Sequence, residues 1–175
     1  GEVFICGNPP YSGSRKQEQE QKDSIQKLCA SFIENWKSLD YVACWFLLAK
    51  KYLNFVESDA AFVTTSSTCE GMQVPLLWPH LIDNNISIKF AYRPFPWRNL
   101  AKSNAVVTVS IVCLSSKRGN VKQVYHSDGT ARRVVNISPY LTEGRPLFVE
   151  QRSKTYCNLP KMLVGSMPRD GGHLI

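Results

Sequence analysis

The chain has 175 residues, of which 43% are hydrophobic, 11% aromatic and 20% charged, a composition that fits a globular domain with a sizeable core and excludes a disordered or fibrous chain. No run approaches the roughly 18 apolar residues of a membrane span, and no basic stretch followed by an apolar one marks a signal peptide at the start. Lys and Arg number 21 against 14 Asp and Glu, a net charge of +7, which suits a polyanionic partner without identifying one.

In chain order, EVFICG reads as a short apolar strand that must stop at NPPYSGSR, because consecutive prolines cannot donate to a sheet ladder. Residues 16–36 are predicted to be a helix, with Ile25, Leu28, Phe32, Ile33 and Trp36 at helical spacing and the charge-balanced KQEQEQK on its solvent face. Asp40 is placed to cap a second helix, YVACWFLLAKKYLNFV. A strand, AAFVTTSS, leads to a helix over CEGMQVPLLWPHLIDNN, with Pro75 and Pro79 in a first turn or at a kink. Then come a strand, ISIKFAYR, a proline- and aromatic-rich loop, PFPWRNLAKSN, and a strand, AVVTVSIVCLS. The alternation is that of an α/β layer, and the last two strands, lacking a helix between them, are expected to form an antiparallel pair at one sheet edge. Beyond residue 116, VKQVYH and RRVVN flank SDGT, a hairpin signal, and the tail is loop-rich with little periodicity. The first strand would have one side unpaired, so we read the chain as part of a larger sheet.

Cys6, Cys29, Cys44, Cys69, Cys113 and Cys157 show no CxxC spacing and mostly sit in apolar stretches, as buried thiols in a reducing compartment do. His80, His126 and His173 stand alone, so no metal site is expected. Ser66, Ser67 and Thr68 lie at a strand end where ligands bind in α/β sheets. They have no recognisable His-and-acid partner, and hydrolase chemistry is set aside.

The motif that carries chemistry is Asn8-Pro9-Pro10-Tyr11, directly after a strand. Together with LDYVACWFLLAKKYL, AAFVTTSSTCEGMQVPLLWP, FAYRPFPWRNLAKSNAVVTVSIVCLS, NISPYL and GSMPRDGGHLI, it resembles the adenine-N6 DNA methyltransferase region of large single-chain type II restriction–modification enzymes. The resemblance implies the C-terminal half of a Rossmann-like, S-adenosylmethionine-dependent methyltransferase sheet, with an appended hairpin and a loop-rich tail. Residues 1–115 would be a partial catalytic domain, and residues 116–175 an extension leading toward target recognition. Asn8 and the Pro9 carbonyl would accept hydrogen bonds from the adenine amine, Pro10 would hold that geometry, and Tyr11 would stack on the flipped base. Phe95 or Trp97 would form the opposite wall. Arg98, Lys102, Lys117, Arg118, Lys122, Arg132 and Arg133 are candidates for DNA phosphates, although each also reads as ordinary solvated charge.

The family's glycine-rich cofactor loop and ribose-binding acid have no match in this chain. Most of the S-adenosylmethionine site, the other half of the domain and target recognition are therefore expected elsewhere, either before this segment or, in a permuted order, after it. The resemblance implies a prokaryotic cytoplasmic enzyme whose isolated segment is inactive. Two other readings remain open: methylation of a protein glutamine amide, which NPPY also serves, and a non-catalytic DNA-binding or specificity subunit on a methylase-like half fold.

Overall fold

The computed structural model describes residues 2–97, 107–117, 119 and 121–150. Six strands form one sheet: β1 (Phe4–Gly7), β2 (Asp59–Thr65), β3 (Ser87–Trp97), β4 (Val107–Ser115), β5 (Lys122–Tyr125) and β6 (Ala131–Val134), in the order β1-β2-β4-β3-β5-β6. The helices are α1 (Gln19–Cys29), α2 (Ala43–Leu53) and the short α3 (Gln73–Leu77). This is a mixed α/β architecture, in accord with the half-sheet that the resemblance implies. β1 and β2 are parallel, whereas β4 runs antiparallel to both of its neighbours, β2 and β3.

Several elements differ from the sequence reading. The antiparallel pair β3 and β4 is interior, because β4 inserts beside β2 and the hairpin β5–β6 extends the sheet beyond β3. The first predicted helix ends at Cys29, not at residue 36, since the apolar spacing continues through turns that still bury Ile33. The helix expected over residues 69–85 contracts to α3, flanked by single 3-10 turns. PFPW is not a loop: β3 runs through it, with irregularities between Ile88 and Phe90 and between Tyr92 and Phe95. Pro94 falls at the second irregularity and Pro96 lies past the stretch that pairs with β5, both places where a strand tolerates a missing N–H. The hairpin forms as its turn residues dictate. Gly129 takes φ +84 and closes a three-residue loop with His126 N–H donating to the Thr130 carbonyl at 2.9 Å. The NISPYL stretch of the tail also packs inward, with Ile137 and Leu141 buried.

One core serves the sheet and all three helices. Alternate residues of the central strands (Ala60 and Phe62, Val112 and Leu114) belong to it, as do Ile88 and Ala91 on either side of the first β3 irregularity. Phe46 of α2 lies edge-on to Phe62 with ring centroids 5.3 Å apart, and 6.1 Å from Trp78. The Trp78 indole N–H donates to the Thr68 carbonyl at 2.8 Å, which meets its polar demand inside the core. Cys29, Cys44, Cys69 and Cys113 are buried as expected, and burial pushes the Cys44 and Cys113 thiols up to about 12, so they pack as neutral groups. Cys6 is exposed instead, on the outermost strand β1. Cys157 lies outside the described residues.

The edge where β1 and β2 begin is ionic. Asp59 is buried, with Lys89 at 2.6 Å and Lys117 at 3.4 Å, and Lys117 also pairs with Glu2. Burial works to raise the Asp59 carboxyl, but the Lys89 bond and the charge of both lysines outweigh it, so the group titrates below the usual carboxylate range.

Two expected outcomes follow from this packing. Phe46→Ala should cost about 3–5 kcal/mol of stability, read as a lowered urea midpoint. Because the Asp59 pKa is depressed in the folded state, its contribution is present above the unfolded carboxylate value, near about pH 4, and is lost as pH falls through the lower folded value. Asp59→Asn should therefore be less stable near neutrality and show a flatter decline in urea midpoint below about pH 4 than the unaltered chain.

Candidate functional site

The sheet's polarity decides which loops meet. Since β4 is antiparallel to both β2 and β3, β3 is parallel to β1 and β2, and all three end at the same edge. The register makes this concrete. Gly7 aligns through Phe62 and Val112 with Ala91, and Thr65 aligns through Val109 with Phe95. The NPPY loop, the Ser66–Cys69 turn and the Phe95–Trp97 end of β3 thus lie along one edge. β1 and β3 stand three strand spacings apart, about 14 Å.

Within the motif, Pro9 is buried and Asn8 and Pro10 are exposed. Tyr11 is half-buried, with its ring against the core. The Asn8 side chain makes no hydrogen bond among the described residues, so it does not serve as a cap for its own turn. Phe95 and Trp97 sit two residues apart on one face of β3, with ring centroids 6.4 Å apart. Phe95 is half-buried and Trp97 exposed. Between the two ends, Thr64 and Thr68 share a hydroxyl hydrogen bond of 2.7 Å, and Thr65 and Ser67 another.

The basic residues do not gather as one group. Lys117 lies at the opposite, ionic edge, paired with Asp59 and Glu2 and 4.7 Å above the Phe4 ring. Lys122 also begins its strand at that end, where its ammonium donates to Asn136 at 2.9 Å and burial lowers its pKa. Arg132 and Arg133 are exposed on β6, the outermost strand, and Arg132 lies 3.4 Å from Glu143. Arg98, Lys102 and Arg118 lie outside the described residues.

Other residues at the site escaped the sequence reading. Ser12, next to Tyr11, is gripped at both backbone groups. Its N–H donates to Asp40 Oδ1 at 3.2 Å, and its carbonyl accepts from Gln17 Nε2 and from the Tyr41 N–H, each at 3.0 Å. Gln17 also donates to the Leu39 carbonyl at 2.8 Å and is buried, although it sits in the KQEQEQK run read as solvent-facing. Asp40 does accept from the Val42 N–H ahead of α2, as a cap-like residue, while also serving the loop. Its own N–H donates to Gln73 Oε1 at 3.0 Å, and Gln73 Nε2 donates to the Ser38 carbonyl at 2.7 Å. Asp40's position before an apolar run was a local signal; the two glutamines carried none.

Comparison with known proteins agrees with this arrangement. Residues 1–126 match the family model described as the MmeI DNA-methyltransferase domain. A protein of Bacillus subtilis (strain 168) described as DNA methyltransferase A is 42% identical over 174 residues, which is 99% of this chain and 20% of that protein. The structure of the Type IIL restriction-modification enzyme MmeI in complex with DNA superimposes with a TM-score of 0.87 at 35% identity, over 97% of this chain and 23% of that one. The chain thus spans about a fifth of the length of these relatives. With the family model covering most of the chain and the fold in accord with it, the chain belongs to the MmeI DNA-methyltransferase domain family.

Proposed function

We propose that this chain is the base-pocket half of an adenine-N6 DNA methyltransferase, working within a longer restriction–modification polypeptide. One observation carries the reading: the NPPY loop, with an exposed and unengaged Asn8 carboxamide, leaves β1 at the same sheet edge as the Phe95–Trp97 end of β3. The relatives add support, since one is named a DNA methyltransferase and the other a restriction-modification enzyme in complex with DNA.

In this reading an adenine flipped from its duplex enters between the two strand ends. Its exocyclic amine is a poor nucleophile because the lone pair is delocalised into the ring. Asn8 Oδ1 accepts from one amine N–H and the Pro9 carbonyl from the other, which draws the nitrogen toward tetrahedral geometry and frees the lone pair to attack. The prolines hold that carbonyl in place because their φ angles are fixed. Tyr11 stacks on one face of the base and Phe95 on the other, with Trp97 as the alternative wall. Stacking worth about 1–3 kcal/mol per base offsets an unstacking cost of a few kcal/mol. The amine is neutral when it attacks, so no strong base is needed and the proton leaves afterwards.

S-adenosylmethionine, when bound, supplies the electrophilic methyl group. The residues of this chain suit only its reacting end, beside Asn8. No glycine-rich turn follows β1 or β2, and we assign the rest of its site to sequence outside the chain. Among the described residues, Arg133 is the open candidate for phosphate contact, whereas Arg132 pairs with Glu143 and Lys117 and Lys122 are engaged at the far edge. Recognition of the target sequence is likewise assigned outside the chain.

The test is nucleoside mass spectrometry of unmethylated DNA incubated with S-adenosylmethionine and the polypeptide that carries this chain. N6-methyladenine is expected from that polypeptide and not from residues 1–175 alone. Asn8→Ala should lower the rate by roughly 100- to 1,000-fold, the scale for losing one aimed transition-state partner, with bulk DNA affinity nearly unchanged. Methylation of a different base, a full rate with Asn8→Ala, or loss of DNA binding in that variant would overturn the assignment.

A further inference from the structure

We infer that Asp40, Gln17 and Gln73 are positioning residues for methyl transfer: they hold Ser12, and through it Tyr11 and the Pro9 carbonyl, where the flipped base must meet them. The inference rests on the base-pocket reading above and extends it to side chains that touch neither base nor cofactor.

The geometry is that of a short span clamped at both ends. Gly7 is fixed by its pairing with Phe62. Ser12 is fixed by the hydrogen bonds from its N–H to Asp40 and to its carbonyl from Gln17 and Tyr41. Between them stand only Asn8, Pro9, Pro10 and Tyr11, and the prolines contribute rigid φ angles and no amide donors. The span therefore has few torsions left, and its shape follows from where Ser12 is held. Asp40 and Gln17 are buried, at 6% and 7% exposure, so their hydrogen bonds do not compete with bulk water. Gln73 steadies Asp40 from behind by bonding its N–H and the Ser38 carbonyl, on the segment that supplies the grip. The three side chains come from positions far apart in the chain, yet Asp40 and Gln17 both bond Ser12, next to the motif, and Gln73 bonds the segment that carries Asp40. A network that only satisfied buried polarity had no need to converge there.

The experiment measures steady-state methyl transfer by the polypeptide that carries this chain, with DNA affinity and melting temperature taken alongside. Asp40→Ala is expected to lower kcat by roughly 100-fold, the scale of a 1 Å misplacement at a reacting centre, with KM for DNA unchanged. Asp40→Asn should recover most of the rate, because a carboxamide oxygen still accepts from the Ser12 and Val42 amides. Gln73→Ala should lower kcat by less than Asp40→Ala, since it loosens the grip at one remove, and it decides the matter if Asp40→Ala does not fold. The inference is overturned if kcat is unchanged, if it falls only in step with the folded fraction, or if Asn at position 40 rescues no better than Ala. Asn8→Ala is run in parallel. If that variant keeps its rate, the base-pocket reading fails and takes this inference with it. If it loses its rate while the Asp40 and Gln73 variants keep theirs, the positioning role alone is wrong.

Discussion

Pro9 and Pro10 remove two amide donors just where β1 leaves the sheet, and the surrounding architecture answers that constraint. The backbone cannot stay in a ladder and cannot turn back into a helix, so it must project from the sheet edge. Pro9 is buried while its neighbours are exposed, which roots the projection in the core. From there, Tyr11 rests on the core and Ser12 is caught by the segment ahead of α2. A stiff motif needs a stiff mount, and the mount is built from the two halves of the chain that flank α1.

The two edges of the sheet have different chemistries. Where β1 and β2 begin, Asp59, Lys89, Lys117 and Glu2 neutralise one another in a compact ionic group. Where β1, β2 and β3 end, the described side chains of Asn8 and Tyr11, of residues 65–68 and of Phe95 and Trp97 are hydroxyls, aromatics and a carboxamide. Hydrogen-bonding and stacking groups of this kind suit a planar ligand, and the ionic edge secures the strands behind them. The antiparallel insertion of β4 produces this division, because it lets β3 run parallel to β1 without a crossover helix between β3 and β4.

Much of this was legible in the residues, for local reasons. Alternation and apolar runs marked the strands, Asp128-Gly129 marked the hairpin, and NPPY after an apolar strand marked the candidate site. What was not legible had a physical cause in each case. Ile33 kept the helical spacing of Ile25 and Cys29 although the chain had already left the helix, since burial needs only the right direction and turns can provide it. Pro94 and Pro96 look like loop residues but are accommodated at an irregularity and where β3 has no partner on its β5 side, and neither condition is visible before strand pairing is known. The place of β4 inside the sheet depended on partners distant in sequence. Gln17 and Gln73 were invisible for the same reason: their partners, Leu39 and Asp40, are 22 and 33 residues away, and glutamine is ordinarily a surface residue.

The outer strands also differ from each other. β6 carries Arg132 and Arg133, exposed charges of the kind that discourage another strand from docking, whereas β1 offers Phe-Ile-Cys-Gly, with no charge and Phe4 61% exposed. Growth of this sheet is therefore one-way: a further strand finds a receptive template beside β1 and a guarded border at β6. Handled by itself, the chain therefore has two unlike flanks: one that an added strand could extend, and one that its arginines keep in solution.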